Sequence, residues 1–281
     1  MERLDITIRQ QLLKDDVQHI GRPFELAGDN ARAVQANTRH MALMLQDSAI
    51  KDRASRMAAF AEALIDVNLH HHVKEPVACA RGCSHCCTTY VSTSLPEVFR
   101  LAQAVRGKGM THARVIAAAA RAKAMPQLQR EIDRVNCPIL DNHACSEYLH
   151  RPVVCRAVLS TSLDTCERIF LKGSNIPFTA PPSLGSLRSY IIIMMRAAMV
   201  LAGLPHRNYE LTHALQIALA QANSEERWLA GEPLFDDVAI DQLDQETSQL
   251  TKIVDGLAGA VRPQFEEGDL MRWVFLFRTA I

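Results

Sequence analysis

The sequence predicts a mainly α-helical fold in which helices pack around an irregular, cysteine-rich segment. Alanine and leucine are abundant, and both favour helix. Outside the cysteine-rich segment, apolar side chains recur every three or four residues, as on the buried face of a helix. All eight cysteines fall between Cys79 and Cys166, where prolines and turn-forming residues interrupt regular structure.

Residues 1–76 are predicted to form an N-terminal helical region. An apolar stripe begins near Asn30 and continues past a polar interruption, in which Ser48 is a candidate N-cap. Three histidines, His70–His72, end the region. Interaction with the helix dipole explains them as well as metal ligation does, so they are left out of the site. The stripe consists of Val34, Met41, Leu45, Ala54, Met57, Ala61, Leu64 and Asn68.

The cysteine-rich region is predicted to span residues 77–170, with helices between its two groups of cysteines. The sequence of residues 94–97, Ser-Leu-Pro-Glu, is a capping box with proline in the first turn, so a helix should begin there. Gly107 and Gly109 should end this helix, and Thr111 should cap the next one. Pro126 should separate that second helix from a shorter one.

Residues 171–281 are predicted to form a C-terminal helical region, packed with the other two regions into one compact unit. Its most apolar window, Tyr190–Leu204, contains Arg196 and is shorter than the ~20 residues that span a bilayer, so it predicts a buried core helix. The start of the chain lacks the uninterrupted apolar core of a secretory signal. We therefore expect a cytoplasmic protein whose thiols stay reduced.

The composition disfavours two classes of partner. Lysine plus arginine and aspartate plus glutamate both number 31, so the formal net charge is zero. This balance provides no attraction to nucleic acid or to an anionic membrane. Aromatic residues make up only 5% of the chain, which also disfavours a base-stacking surface.

The cysteines form two groups, and the first has the close spacing of metal ligands. Two or three residues separate most of its cysteines, so the chain can turn back and bring their sulfurs to one ion or cluster. Four thiolates satisfy one zinc ion or one four-iron cluster. Eight cysteines exceed this need. The additional ones could form a second centre, belong to one polynuclear centre, or be catalytic or structural thiols. The predicted ligands are Cys79, Cys83, Cys86, Cys87, Cys137, Cys145, Cys155 and Cys166.

Three of these ligands raise separate questions. The side chains of adjacent residues diverge, so Cys86 and Cys87 suit neighbouring ions or different sites better than one ion. Cys166 stands alone in its segment, and a buried, unligated thiol explains it equally well.

The spacing of Cys79, Cys83 and Cys86 also matches the cluster loop of radical S-adenosylmethionine enzymes. Three features disfavour membership in that class. Helices precede the motif, an extra Cys87 follows it, and His85 stands where those enzymes usually carry an aromatic residue. In addition, no alternation of strands and helices follows, as their barrel requires.

The segments CARGCSHCC and CPILDNHACSEYLHRPVVCR together resemble the CxxCxxCC cysteine-cluster family (YkgJ-like), described as zinc- or iron-chelating. The resemblance covers about residues 77–166 and implies metal binding. His85 is a departure, because a glycine often precedes the paired cysteines. Flagellin lysine methylases are similar in this arrangement, which is associated there with an iron–sulfur cluster; no residue here identifies a methyl donor or a lysine-bearing substrate. The matching positions are Cys79, Cys83, Cys86, Cys87, Cys137, Pro138, Cys145, Tyr148, Arg151, Pro152, Cys155 and Arg156.

Several side chains close to the cysteines in sequence could contact a bound cofactor without ligating the metal. Arg151 and Arg156 could offset the charge of the thiolates and donate hydrogen bonds to sulfur, as could Arg81. Tyr148 could donate its hydroxyl to a cluster or substrate, although packing in a core is the commoner role. Proton transfer or ligation suits Asp141, His143 and His150, and loop solvation explains them equally well.

Two functions fit these patterns. The first is a protein that binds iron or an iron–sulfur cluster and takes part in redox or group-transfer chemistry. The alternative is a zinc-stabilised structural or interaction module without catalysis. Thiolates bind both metals, so the ligands alone do not decide between them. Common phosphate-binding, dinucleotide-binding, serine-hydrolase and zinc-protease motifs are absent from the sequence, and no catalytic residue, substrate or protein partner is identified.

Overall fold

A computed structural model describes residues 16–80, 82–241 and 249–261. Within these ranges the fold is mainly α-helical with little sheet, which confirms the predicted fold class. The helices are α1 (Ala31–Gln46), α2 (Arg53–His72), α3 (Leu95–Val105), α4 (Gly109–Ala124), α5 (Gln127–Asp133), α6 (Val153–Arg156), α7 (Leu163–Cys166), α8 (Leu184–Leu201), α9 (Leu211–Ala220), α10 (Ser224–Leu229) and α11 (Gln249–Val261). The strands are β1 (Ser92–Ser94), β2 (Leu140–Asp141), β3 (Ala144–Cys145) and β4 (Asn208–Glu210).

The main hydrophobic core contains residues from all three regions of the sequence, and a second, smaller cluster lies between α8 and α11. Helix α8 packs against α1, α2 and α11, while α3 packs against α2 and α9. Side chains with less than 2% of their surface exposed come from every region, so burial of apolar surface couples the regions in folding. Examples are Met41, Leu64, Leu95, Met195 and Leu215.

The predicted apolar stripe of the first region is buried throughout α1 and α2. Its one polar member, Asn68, can be buried because its amide oxygen and its amide nitrogen both make hydrogen bonds. Its Oδ1 accepts from Phe24 N at 3.0 Å, and its Nδ2 donates to Leu64 O at 2.8 Å. The prediction of an N-cap at Ser48 is wrong: α2 begins only at Arg53, after Asp52 in the left-handed conformation (φ 52°).

The helices that follow β1 begin and end mostly as predicted. Ser94 and Glu97 form the predicted capping box of α3, and Pro126 precedes α5. The predictions that Gly109 helps to end α3 and that Thr111 caps α4 are both wrong. Gly107, at φ +84°, makes the turn, so α4 already begins at Gly109, and Thr111 is 5% exposed inside its first turn.

The two-stranded sheet of β1 and β4 links the cysteine-rich region to the C-terminal region. The strands are antiparallel, with Thr93 opposite Tyr209, and Leu211 N donates to Val91 O at 3.0 Å. Because β1 leads directly into α3 and β4 into α9, this pairing places the starts of both helices side by side.

Helix α8 is the predicted core helix, and it is longer than its sequence window. It begins at Leu184 rather than Tyr190, and Leu187, Ile191 and Met194 are fully inaccessible. Among the described residues it is also the one helix long and apolar enough to cross a membrane by length and composition alone, with a hydropathy of 1.4 over 18 residues. Half of that window is buried inside the protein, as in the core helix of a globular fold.

Candidate metal centre

The first group of cysteines lies in two consecutive tight turns. Gly82, at φ +90°, allows a turn in which Cys83 N donates to Ala80 O at 3.0 Å. A single turn of 3₁₀-helix, His85–Thr88, then carries Cys86 and Cys87. The chain thereby turns back on itself within a few residues, as the spacing of these cysteines predicts.

A backbone hydrogen bond ties the second group of cysteines to the first. Cys137 N donates to Cys87 O at 2.8 Å. Cys145 ends the hairpin of β2 and β3, whose two turn residues, Asn142 and His143, have positive φ values of 45° and 61°. Positive φ at both positions is typical of a type I′ turn, which matches the twist of the strands. Cys155 lies in the short helix α6.

Six of the eight cysteines line one cavity of about 1510 Å³. Cysteines from two separated stretches of the chain therefore line one space, and their sharing of a metal centre stays a prediction. Of the other two, Cys79 Sγ accepts a hydrogen bond from the backbone N of Ser160 at 3.5 Å, and Cys166 is buried at the end of α7. The six lining cysteines are Cys83, Cys86, Cys87, Cys137, Cys145 and Cys155.

Burial and neighbouring sulfurs raise the pKa values of Cys137, Cys145 and Cys155, which favours their protonated form when no cation is present. Burial raises the pKa of Cys137 to about 11 and that of Cys155 well above its usual range. A hydrogen bond with Cys87, followed by burial, raises the pKa of Cys86. Neighbouring sulfurs add to the shifts of Cys137, Cys155 and Cys145. A cation among the sulfurs would relieve this repulsion, so the donor set suits a thiophilic metal or cluster.

The sulfurs lie around the cavity without forming a closed ligand cage. Across the described ranges, no three His, Cys, Asp or Glu side chains converge tightly enough to hold an ion as they stand. The ligand-bearing segments are a turn, a hairpin and one-turn helices, which are the parts of the fold with the least regular hydrogen bonding. We expect a bound metal to draw these segments inward, since ligation and local ordering are coupled.

Of the predicted arginines that the structure describes, Arg151 is the one that acts on the sulfurs. It lines the cavity, and its charge lowers the pKa of Cys79, Cys86 and Cys145 against the larger effects that raise them. Its guanidinium lies 3.7 Å from the centre of the Tyr148 ring, a cation–π contact. Tyr148 is 58% exposed, so it borders the cavity rather than packing in the core.

Arg156 has a different role from the one predicted. Its guanidinium pairs with Glu62 at 3.1 Å and with Asp66, and it donates to the carbonyls of Leu149 and, at 2.7 Å, Arg151. These partners lie on α2 and on the loop before α6, and none of them is a sulfur. Arg156 therefore fixes the loop that carries Arg151 and does not contact the predicted ligands.

Glu97, which the sequence identified only as part of a helix cap, also positions the centre. Its Oε2 accepts from Thr93 Oγ1 at 2.5 Å and from Ser94 N at 3.1 Å, completing the cap of α3. Its Oε1 accepts from Val153 N at 2.7 Å, at the start of the helix that carries Cys155. The distance in sequence between Glu97 and Val153 is why spacing alone did not reveal this second contact.

Of the remaining candidates, Asp141, His143 and His150 lie outside the cavity lining. Asp141 pairs with Arg114 at 3.2 Å, and His143 belongs to the hairpin turn. His150 lies 3.7 Å from Glu147 Oε2, and burial lowers its pKa. Arg81 lies outside the described residues. The histidine run ends α2, where His72 Nε2 is 2.8 Å from the carbonyl of Phe24.

Metal affinity should rise steeply with pH. The raised thiol pKa values mean that binding has to displace protons, and each displaced proton strengthens binding about tenfold per pH unit. Titration of Zn²⁺ against a competing chelator should therefore show at least a roughly hundredfold gain in affinity from about pH 6.5 to about pH 8.5. An affinity that does not change over this range would contradict ligation by these thiols.

Residues 78–170 match the CxxCxxCC family model, described as “Putative zinc- or iron-chelating domain”. The match confirms the resemblance inferred from the cysteine pattern, and it supports metal binding by the part of the chain that carries all eight cysteines. No curated protein and no solved structure matches the chain.

Proposed function

We propose that this protein is cytoplasmic and that it holds an iron–sulfur cluster or iron for redox or group-transfer chemistry. The match of residues 78–170 to a zinc- or iron-chelating family supports the metal-binding part of this proposal. The observation that carries the proposal is the cavity itself, because six thiols from two stretches of chain line a space that is open to other side chains and to solvent. A closed four-ligand site is typical of structural zinc, whereas reactive centres keep access to a substrate.

The residues around the sulfurs support a charged centre. Cys83, Cys86 and Cys155 are candidate ligands, and Arg151 supplies the compensating positive charge at the cavity. An iron–sulfur cluster bound there would supply one-electron transfer. The protein would set its potential through burial, neighbouring charge and hydrogen bonds to sulfur.

A zinc-stabilised interaction module is the second candidate function. Tyr148 and Leu149, which line the edge of the cavity, are 58% and 75% exposed. Exposed apolar side chains next to an ordered metal site would suit contact with a protein partner. In this case zinc would order the loops and catalyse nothing.

Anaerobic purification followed by metal and sulfide analysis distinguishes the two functions. We expect a brown protein with visible charge-transfer absorption and stoichiometric iron and acid-labile sulfide. Iron without labile sulfide would leave mononuclear iron as the cofactor. A colourless protein with stoichiometric zinc would replace the first function by the second, and retention of neither metal would refute both.

A further inference from the structure

We propose that the cavity beside the cysteines is a binding chamber for a small organic anion with an apolar body. The inference rests on the proposed function for what such a ligand would do, because a molecule in the chamber would lie against the metal-binding sulfurs. Binding itself depends on other residues. Ligand pockets commonly measure about 300–1,000 Å³. The 1510 Å³ of this cavity therefore leaves room for an organic molecule beside the ligand-bearing segments.

Apolar side chains from three segments line the chamber together with the cysteines. They come from the segment around Phe170–Phe178, from α8 and from α11. The two phenylalanine rings pack edge to face at 5.9 Å between centroids, which gives this part of the lining a fixed shape. Such a lining favours an apolar ligand body. The apolar residues are Phe170, Phe178, Ile192, Ile193, Leu250 and Ile253.

The charges that line the chamber favour an anion. Two carboxylates line it, and both have partners: Glu147 pairs with Lys108 at 2.8 Å, and Asp241 accepts a hydrogen bond from Ser92 Oγ. Three guanidinium groups line it as well, those of Arg151, Arg188 and Arg196; Arg151 stacks on Tyr148, and Arg196 also has a partner. The formal charge of these side chains is positive, because three guanidinium groups outnumber two carboxylates. Charge-assisted hydrogen bonds from arginine suit carboxylate, phosphate or sulfonate groups.

Arg188 is placed to receive the anionic group. It is exposed, next to exposed Ser189 on α8, so this part of the chamber is open to solvent. Within the described part of the chain, the side chain of Arg188 makes no hydrogen bond or ion pair. Its guanidinium can therefore bind a ligand without breaking an existing contact, which lowers the cost of recognition.

Fluorescence titration with 8-anilinonaphthalene-1-sulfonate, an apolar anion, tests the proposal on the full-length chain. We expect saturable binding with one probe per chain. Arg188→Gln should weaken binding roughly fivefold by removing the charge contact, and Ile253→Ala roughly threefold by shortening the apolar lining. Arg32→Gln and Ile116→Ala are matched controls on exposed helix positions outside the chamber and should bind as the unaltered protein does.

The uncharged probe N-phenyl-1-naphthylamine separates the anionic contact from the apolar one. Its binding should respond to Ile253→Ala and not to Arg188→Gln. Absence of saturable binding, or equal binding of the sulfonate by Arg188→Gln and its control, would overturn the proposal. Metal content measured on the same samples keeps the two ideas distinct, because Arg188→Gln leaves every candidate metal ligand in place.

Discussion

Replacing both Cys83 and Cys86 with serine should abolish metal loading. Both side chains line the cavity, and their sulfurs lie within electrostatic reach of Cys79 and of the later cysteines. A serine hydroxyl is a poor ligand for zinc or iron in place of a thiolate. Loss of a residue that only supports a metal ligand commonly lowers metal affinity about 10–100-fold. Loss of two ligands should therefore lower the metal content per purified chain by at least roughly tenfold. Elemental analysis of the purified variant measures this directly.

The matched control for this variant lies in the same turns. Ser84→Ala and Thr88→Ser alter neighbouring side chains that carry no thiol and should leave metal content unchanged. Far-UV circular dichroism should show that the double variant keeps its helices, because the core lies mainly in helices outside this segment. A folded double variant with normal metal content would refute the assignment of these cysteines.

Glu97→Ala should produce the largest loss of stability among single carboxylate changes described here. The substitution removes the α3 cap and leaves Val153 N without its acceptor, and Glu97 is only 4% exposed. A lost cap costs about 1 kcal/mol, and a buried unsatisfied donor about 1–3 kcal/mol. The free energy of unfolding of the metal-free protein should therefore fall by about 3 kcal/mol in urea denaturation.

Glu97→Gln and Glu226→Ala provide the comparison. Glutamine keeps one amide oxygen as an acceptor but loses the second, so Glu97→Gln should fall between the unaltered protein and Glu97→Ala. Glu226 is an exposed acid in the first turn of α10, where substitution should cost no more than about 0.5 kcal/mol. Metal retention should also weaken in Glu97→Ala, because Val153 begins the helix that carries Cys155. Equal stability of the two alanine variants would show that Glu97 has no special role.

The parts of the fold that local rules govern could be predicted from the sequence. The capping box at Ser94, the break at Pro126 and the buried stripe through Met41 and Leu64 depend only on neighbouring residues and helical periodicity. The start of α4 was mispredicted because two signals compete within five residues. The left-handed turn at Gly107 places the helix start before Thr111 can cap it.

The environment of the cysteines could be predicted only in part. Close spacing indicated that the sulfurs of the first group converge, but the cavity depends on how distant segments pack. Arg156 shows the difficulty, since its partners Glu62 and Asp66 lie on α2, far away in the chain. An arginine that is close to cysteines in sequence can instead form an ion pair with a carboxylate that only the folded chain brings near it. Likewise, α8 and α11 line the cavity because of how distant segments pack, which the spacing of residues in the sequence does not show.

The pairing of β1 with β4 has a consequence for biosynthesis. Strand Asn208–Glu210 closes the sheet beside the cysteine-rich region, so that region cannot reach its final arrangement until the ribosome has translated the chain past Glu210. At about 5–20 residues per second, the nascent thiols wait on the order of ten seconds after Cys79 is made. During that interval they are open to oxidants and to whichever thiophilic ion is abundant. The metal found in recombinant protein will therefore depend on the growth medium, and preparations from iron-supplemented, zinc-poor cultures are the informative ones.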